Sequence, residues 1–392
     1  MSQTKLDLLD ELVKGCVKAG VYSACVFAVA KEGKLVRERA FGALDRSSAA
    51  RPTQLDSVFD VMSITKTVAT ASSTMRLVEK GKLSLDTKVG SIFEEFSTEE
   101  RKSRIRVRDL VTMSSGLSPE EPGDNGLMTA SEATFDKRSG PDALRSRVLS
   151  HPAVAEPGTK LVYSDVDYRT LGFALEEVAG LRLDELARRE VFEPCGLVDI
   201  CYTPGAAVRN RCPETGYSKW RGRKIIGETI DDFDYALGGV LGHAGAFSTA
   251  RDLSAFMQIM LNEGRIGSDA RLFEPETVRM MTSDQVKGIP PVRRPATIVQ
   301  ATGGMMRGLG FELKLDVENT YMGTLFSPRS FGKWGGTGCF MAADPETMLS
   351  AVLLTNTPMV LSADEPGWES GDWFRSLLVS DFFDLANLAT AS

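Results

Sequence analysis

Histidine is nearly absent from this sequence: among 392 residues only His151 and His243 occur. Neither belongs to an HExxH motif or to a Cys/His cluster, so a zinc site is not expected. The sequence also lacks a G-x-S-x-G nucleophile elbow, a Walker loop and a dinucleotide fingerprint. These absences argue against a Ser-His-Asp triad and against nucleotide chemistry. If the chain is an enzyme, we expect it to work with side chains alone, with no cofactor and no metal.

Three further features are missing: an export signal, a membrane span and a dense basic block. The first residues, "MSQTKLDLLDELVKGC", place acids where a signal peptide needs a basic end and an apolar run. No apolar stretch approaches the roughly 18 residues of a membrane span. The net charge of -7, with 42% hydrophobic and 25% charged residues, is ordinary for a globular protein. We therefore expect a cytoplasmic protein that binds neither nucleic acid nor membrane, while its oligomeric state does not follow.

The six cysteines are scattered along the chain and form no CxxC motif. In a chain of this length without a signal peptide, they are expected to be reduced and mostly buried thiols. A disulfide among Cys195, Cys201 and Cys212 stays open as an alternative.

Strand patterns occur at both ends of the chain, and helix patterns occur in its middle. "VYSACVFAVAKEGKLVRERAFGALD" predicts a hairpin around Glu32-Gly33, and "GLGFELKL", "GCFMAAD" and "MLSAVLLTN" predict strands near the C-terminus. The fold class is therefore α/β (α+β), with one mixed sheet built from both ends and a mainly helical domain inserted. The predicted sheet domain is 1–82 with 238–392, and the predicted helical domain is 83–237, with the active site between them.

The stretch "FDVMSITKTVATAS" contains Ser63 and Lys66 at the start of a predicted helix. Apolar residues recur with helical spacing from Ile64 onward, and Gly81 ends the run. Residues i and i+3 share a helix face, so the hydroxyl and the amine can meet. Free N–H groups at this end of a helix can also stabilise an oxyanion. The other Ser-x-x-Lys matches, at Ser2 and Ser330, lack this setting.

The order of five segments resembles the serine β-lactamase and penicillin-binding-protein superfamily. After Ser63 to Lys66 come "VRDLVTMSSGL", "EPGTKLVYSDVDYRTLGFALEEVAG", "GGVLGHAGAFSTARDLSAF" and "FGKWGGTGCFMAADPETMLSAVLLTN". Within this superfamily, the chain is most similar to class C β-lactamases and family VIII carboxylesterases, over about residues 20–357. The resemblance implies a β-lactamase-like mixed antiparallel sheet flanked by helices.

The resemblance also implies a role for each matching residue. Ser63 would be the acylated nucleophile and Lys66 its proton acceptor. Tyr163, in "YSD", matches the family's second base, which serves both acylation and deacylation. The backbone N–H groups of Ser63 and Gly336 would form the oxyanion hole.

Two departures from the family pattern bear on the substrate. Asp165 stands where the family has asparagine, and an ionised aspartate can accept hydrogen bonds but not donate them. In the box that matches Lys-Thr-Gly, namely Lys333-Trp334-Gly335, threonine is replaced by Trp334, as in family VIII esterases. We assign four residues to substrate binding, namely Asp165, Lys333, Trp334 and Gly335. Both changes weaken recognition of an amide and a carboxylate and favour esters, although Trp334 could instead only pack under the helical domain.

Charges around the serine set its expected reactivity. Burial and the second cation Lys333 both favour an uncharged Lys66, whereas Asp165 would raise its pKa unless it turns away. Tyr163 between two ammonium groups would be pushed toward phenolate. The bland alternatives are a core aromatic at Tyr163 and a solvated lysine at Lys333. His243 is expected to be a hydrogen-bonded structural residue in a tight turn.

These observations predict a serine hydrolase that cleaves small-molecule carboxylic esters of short to medium acyl chains through an acyl-enzyme. A β-lactamase or D-alanyl-D-alanine peptidase in the same fold is the first alternative, and mixed activity is compatible with one nucleophile. A transesterase and a non-catalytic binding protein that kept the scaffold also stay open. The stretch 118–145, rich in Pro, Gly, Asp and Glu, is a candidate lid or an exposed loop.

Overall fold

The computed structural model describes most of the chain, and the fold is built from these residues. They are 2–45, 47, 49–118, 140–289, 308–315, 320–356 and 371–391, with only the backbone for 371–378. The candidate lid 118–145 therefore lies largely outside the described residues.

The described strands number thirteen and come from both halves of the chain. In chain order they are β1 (Ala24–Lys31), β2 (Lys34–Gly42), β3 (Phe59–Asp60), β4 (Cys201–Tyr202), β5 (Glu214–Ser218), β6 (Arg223–Ile226), β7 (Ala246–Ser248), β8 (Arg265–Ile266), β9 (Ala270–Arg271), β10 (Glu312–Leu313), β11 (Phe331–Gly335), β12 (Cys339–Asp344) and β13 (Leu349–Thr355).

The α-helices are concentrated between the strands of the two chain ends. They are α1 (Gln3–Lys18), α2 (Ser72–Glu79), α3 (Val107–Val111), α4 (Pro141–Leu149), α5 (Asp165–Ala179), α6 (Leu183–Ala187), α7 (Ala206–Arg209), α8 (Asp232–Ala236), α9 (Ala250–Leu261), α10 (Pro275–Met281) and α11 (Gly371–Thr390). Short 3₁₀ turns are Met62–Ile64, Val89–Ser91, Glu94–Phe96 and Lys102–Arg104, and π-helical turns are Lys66–Ala71 and Arg188–Phe192.

The central sheet has six strands in the order β10-β11-β12-β13-β1-β2. Every pairing in it is antiparallel. The sheet therefore joins the N-terminal hairpin to the C-terminal strands, as the sequence predicts. The segment "GLGFELKL" forms a shorter strand than expected, because only the two residues of β10 pair with β11.

The N-terminal hairpin turns where the sequence predicts. Glu32 and Gly33 lie between β1 and β2 with φ angles of 51° and 78°. Two successive residues with positive φ are typical of a two-residue hairpin turn whose twist matches the strands. The glycine allows this conformation without the steric cost of a Cβ atom.

Both faces of the sheet are buried, as the alternation along β1 shows. Val26 and Ala28 belong to the large apolar cluster shared with α9 and the helical region. Phe27 and Val29 point to a second cluster with α1 and α11. The rings of Phe27 and Phe382 lie 5.6 Å apart in an edge-to-face arrangement, a favourable geometry for aromatic pairs. Because both faces are covered, β1 is apolar almost throughout.

The helix that follows the serine departs from the regular α-helix expected there. Met62–Ile64 is a 3₁₀ turn, Lys66–Ala71 is a π-helical turn, and regular α2 begins only at Ser72. Single π turns within helices often lie at functional sites. Gly81 follows with φ of 67°, which confirms the predicted glycine stop.

All six cysteines are free thiols, so the alternative disulfide is wrong. No helix in the described part of the chain has the length and apolarity of a bilayer span. The boundaries 1–82, 83–237 and 238–392 stay a prediction.

Candidate active site

A buried carboxylate holds the turn that presents Ser63. The Asp60 side chain accepts hydrogen bonds from the backbone N–H of Met62 at 2.9 Å and of Ile230 at 3.1 Å. Met62 has φ of 44°, an unfavourable conformation for a residue with a side chain, and such strain is common at active sites. Burial raises the pKa of Asp60 to about 7. The sequence reading missed Asp60, whose place in a two-residue strand gives no signal.

Ser63, Lys66 and Tyr163 meet, as the sequence predicts. The Ser63 hydroxyl lies 2.9 Å from Lys66 Nζ and 2.8 Å from the Tyr163 hydroxyl. Lys66 is fully buried and also donates to Asp165 Oδ1 at 2.6 Å and to the His243 carbonyl at 3.1 Å. Three acceptors therefore use the three protons of its ammonium group.

The start of α5 places Tyr163 and Asp165 beside the serine. Ser164 caps this helix, because its hydroxyl accepts from the N–H of Asp167 at 3.1 Å. A capping serine favours an extended residue before the helix and a helical residue after it. Tyr163 therefore reaches Ser63 from outside the helix, and Asp165 reaches Lys66 from its first turn.

The contact between Asp165 and Lys66 decides the question that the sequence left open. Asp165 does not turn away from Lys66. Burial alone would raise the pKa of Asp165, but the Lys66 ammonium holds that pKa well below the ordinary range of an aspartate. For Lys66, burial lowers the pKa, Asp165 raises it and Lys333 lowers it again, to about 8. At pH 7 about one Lys66 in ten is then the uncharged base.

The prediction of a Tyr163 phenolate is wrong for the resting site. Burial raises the pKa of Tyr163 well above its ordinary value, and the carboxylates of Asp165 and Glu312 raise it further. Both ammonium groups near this ring are paired with a carboxylate, Lys66 with Asp165 and Lys333 with Glu312. Tyr163 is therefore a phenol that donates to Ser63.

The end of β11 lies against the turn that carries Ser63. A Cβ atom on Gly335 would lie 2.1 Å from the carbonyl oxygen of Val61, so only glycine fits at this position. A Cβ on Gly336 would lie 3.8 Å from Met62 Cε. Gly336 therefore lies near the Met62 side chain, next to Ser63 in the chain. The role of the two N–H groups stays a prediction.

Lys333 and Trp334 border the site on the side of Tyr163. Lys333 Nζ lies 5.0 Å from the centre of the Tyr163 ring and 5.7 Å from the Trp334 ring. The Tyr163 and Trp334 rings are 6.2 Å apart and nearly parallel, at 15°. Lys333 is fully buried, so the alternative of a solvated strand lysine is wrong. Trp334 thus packs on a functional side chain as well as on the core.

The partner of Lys333 was missed by the sequence reading. Glu312 on β10 lies 2.6 Å from Lys333 Nζ, and both side chains are buried. The second oxygen of Glu312 has no hydrogen-bond partner among the described residues. A lone glutamate in the apolar "GLGFELKL" is a weak signal, because residues 312 and 333 pair only once the sheet has formed.

A buried polar network lies behind Lys66. The Nε2 atom of His243 is 3.0 Å from Asp234 Oδ2, and the Arg169 guanidinium is 3.2 Å from Asp234 and 3.5 Å from Asp231. His243 is hydrogen-bonded as predicted, with its Nε2 atom 3.4 Å from the Arg169 guanidinium, whereas its structural role stays a prediction. The turn that contains His243 leads into strand β7, and not directly into a helix as the sequence suggested. Asp231, Asp234 and His243 could together hold a metal ion, but the guanidinium already supplies their positive charge.

The comparisons with known proteins agree with this geometry. A family model described as Beta-lactamase matches residues 9–368. A curated relative from Escherichia coli (strain K12), named "Putative D-alanyl-D-alanine carboxypeptidase", is 28% identical over 386 residues, which cover 92% of this chain and 84% of that protein.

Two solved structures share the fold. EstCE1, described as a hydrolase with promiscuous acyltransferase activity, has a TM-score of 0.72 at 20% identity and covers 97% of this chain and 98% of its own. A penicillin-binding-protein homologue from Caulobacter crescentus has a TM-score of 0.73 at 19% identity, with coverage of 100% and 99%. The family model spans most of the chain, including the segments of Lys66 and Tyr163 that meet at Ser63. The chain therefore belongs to the β-lactamase family, within the superfamily of serine β-lactamases and penicillin-binding proteins.

Proposed function

We propose that the protein is a serine hydrolase that cleaves carboxylic esters of short to medium acyl chains through an acyl-enzyme on Ser63. The observation that carries this proposal is the pair of contacts at the Ser63 hydroxyl, 2.9 Å from Lys66 Nζ and 2.8 Å from the Tyr163 hydroxyl. A serine with two proton-transfer groups in hydrogen-bond reach is the arrangement of an activated nucleophile.

Acylation begins in the fraction of molecules in which Lys66 is uncharged. Ser63 Oγ attacks the ester carbonyl while Lys66 takes the hydroxyl proton, and the N–H groups of Ser63 and Gly336 bind the oxyanion. When the intermediate collapses, Tyr163 gives its proton to the departing alcohol. The products of this step are the ester of Ser63, a free alcohol, a charged Lys66 and a Tyr163 phenolate.

Deacylation returns each group to its starting state. The phenolate of Tyr163, now formed, takes a proton from water, and the hydroxide attacks the acyl carbonyl. Lys66 returns its proton to Ser63 Oγ as the acid leaves. This order uses the raised pKa of Tyr163, because a phenol with a raised pKa cannot accept a proton until it has lost its own, and its phenolate is then a strong base.

Two side chains support an ester rather than a β-lactam as substrate. Asp165 is held by Lys66 at 2.6 Å and, as a carboxylate, has no proton to donate to a substrate amide carbonyl. Trp334 replaces a hydroxyl by an apolar ring stacked on Tyr163. Together with Lys333 and Gly335, these residues would form an acyl site with little affinity for an acylamino group and a carboxylate.

A D-alanyl-D-alanine carboxypeptidase is the second candidate, since the relative from Escherichia coli carries that name. A third outcome is acyl transfer to an alcohol, because the described activity of EstCE1 includes acyltransferase. Both use the same acyl-enzyme and differ only in the group that is released or that accepts the acyl chain.

Turnover of three substrates by the wild-type protein and by Ser63→Ala tests the proposal. We expect hydrolysis of 4-nitrophenyl butyrate to exceed that of nitrocefin and of a D-alanyl-D-alanine peptide, and we expect Ser63→Ala to abolish it. Ser2→Ala is the matched control, since Ser2 is the other serine of a Ser-x-x-Lys match near the N-terminus. Ester hydrolysis that persists in Ser63→Ala contradicts the proposal, and a preference for the peptide supports the second candidate.

A further inference from the structure

We propose that Glu312 sets the substrate class of this site by cancelling the charge of Lys333, so that uncharged esters are accepted and esters with an anionic acyl chain are rejected. This inference rests on the proposed esterase function and names the substrate feature it selects. Glu312 Oε1 lies 2.6 Å from Lys333 Nζ, and neither side chain meets solvent. Such a pair contributes no net charge to its surroundings.

Lys333 is close enough to the reacting atoms for its charge to matter. Its ammonium lies 5.0 Å from the centre of the Tyr163 ring, whose hydroxyl contacts Ser63 Oγ at 2.8 Å. Charges act strongly over such distances when both are shielded from water. An unpaired Lys333 would therefore attract an anionic acyl chain, and the paired Lys333 does not.

Among the residues that the structure describes, the other groups named at this end of the site give no replacement cation. Lys66 is paired with Asp165 at 2.6 Å. Trp334 contributes an apolar ring, and its indole nitrogen has no hydrogen-bond partner within the described part of the chain. The Glu312 oxygen that has no hydrogen-bond partner among the described residues adds a buried acceptor that repels a second carboxylate. A carboxylate brought here loses its hydration without a partner, which is strongly unfavourable.

The competing explanation is that the pair only holds β10 against β11. Glu312 and Gly332 are opposite each other in this pairing, so the ion pair does link the two strands. A purely structural pair would change folding stability when it is broken, and activity would fall equally for every ester. The choice between charged and uncharged esters separates the two roles.

The test compares 4-nitrophenyl hexanoate with the 4-nitrophenyl monoester of adipic acid, in which a carboxylate replaces the terminal methyl group. We expect the wild-type protein to prefer hexanoate in kcat/KM on the order of a hundredfold, since the adipate carboxylate would lose its hydration without gaining a charged partner. Glu312→Gln should narrow this preference about tenfold.

Two further variants keep the test sharp. Glu38→Gln removes a carboxylate that pairs with Arg251 at 2.6 Å on β2, the opposite edge of the sheet. At the usual strand spacing this edge is about 24 Å away, so the preference should not change. If Glu312→Gln does not fold, the double variant Glu312→Met, Lys333→Met removes both charges and should keep the wild-type preference.

The outcomes separate this inference from the proposed function. Equal turnover of both esters by the wild-type protein overturns the inference and leaves the esterase proposal intact. An unchanged preference in folded Glu312→Gln also overturns it. Absence of Ser63-dependent turnover of either ester overturns the esterase proposal itself.

Discussion

The two buried lysines of the site form ion pairs of equal length, but the two pairs have different proposed roles. Lys66 lies 2.6 Å from Asp165, and Lys333 lies 2.6 Å from Glu312. Lys66 also contacts the Ser63 hydroxyl, and its partner Asp165 is partly exposed. Lys333 has no contact to the nucleophile and its partner is buried. The groups around a buried ion pair, rather than the pair itself, therefore determine whether its lysine transfers protons or only fixes the local charge.

Removing Lys66 should have the largest effect. Lys66→Ala leaves Ser63 without its proton acceptor, and a missing general base costs about 10²–10⁴-fold in rate. We expect kcat for 4-nitrophenyl butyrate to fall by that factor with folding intact. The double variant Glu312→Met, Lys333→Met is the comparison, because it removes the second lysine without leaving a buried carboxylate unpaired. A loss of activity there as large as in Lys66→Ala would show that the two lysines do not differ in their role.

Breaking the second pair should act mainly on stability. Lys333→Met leaves Glu312 buried without its cation, and removal of one partner of a buried pair costs about 3–5 kcal/mol in the free energy of unfolding. Replacing both residues by methionine should recover most of this loss. Urea unfolding of the single and double variants measures it. A single variant as stable as the wild type would mean that the pair is not held in the folded state.

Asp165 and Asp167 lie in the same turn of α5, but only Asp165 is paired with a lysine of the described part of the chain. Asp167, two residues after Asp165, has only the hydroxyls of Ser115 and Ser164 as side-chain partners in the described structure, and burial raises its pKa to about 8. A raised pKa means that the folded state keeps a proton that the unfolded state has lost, so stability falls as the pH rises toward 8.

Asp167→Asn removes this titration. The wild-type protein should lose about 1–2 kcal/mol more of its free energy of unfolding between pH 6 and pH 8 than Asp167→Asn does. Denaturant unfolding at the two pH values measures the difference. Asp142→Asn, at an exposed position in the first turn of α4, serves for comparison. Identical pH dependence in the wild type and Asp167→Asn would mean that Asp167 is ionised in the folded protein.

The smallest expected effect concerns the pH at which the enzyme becomes active. Asp165 raises the pKa of Lys66, so Asp165→Asn should lower that pKa below about 8. Because the uncharged amine is the base, the rising limb of kcat/KM against pH should move to lower pH, by about one unit for a lost contact of 1.4 kcal/mol. A limb that moves upward, or does not move, would exclude Lys66 as the titrating base.

Local sequence patterns predicted the parts of this molecule that depend on local chemistry. The turn at Glu32-Gly33 follows from a glycine that tolerates positive φ. The order of the motifs indicated which distant residues meet at Ser63. The resemblance supplied Tyr163, which no periodicity singles out.

The remaining features arise only from long-range packing. Glu312 and Asp60 each lie in a two-residue strand and act on residues that another strand or turn brings to them. The charge state of Tyr163 depends on the pairing of both lysines, and it was predicted wrongly because one partner was unknown. Burial and pairing of ionisable groups are properties of the assembled core, so short-range patterns carry little information about them.

Covalent capture of the nucleophile tests the central claim most directly. The intact protein is treated with a fluorophosphonate, its mass is measured, and the modified peptide is sequenced by mass spectrometry. The account predicts one adduct per chain, on Ser63, with no adduct in Ser63→Ala. An adduct on another residue, or ester hydrolysis by a protein that takes up no adduct at Ser63, would contradict it.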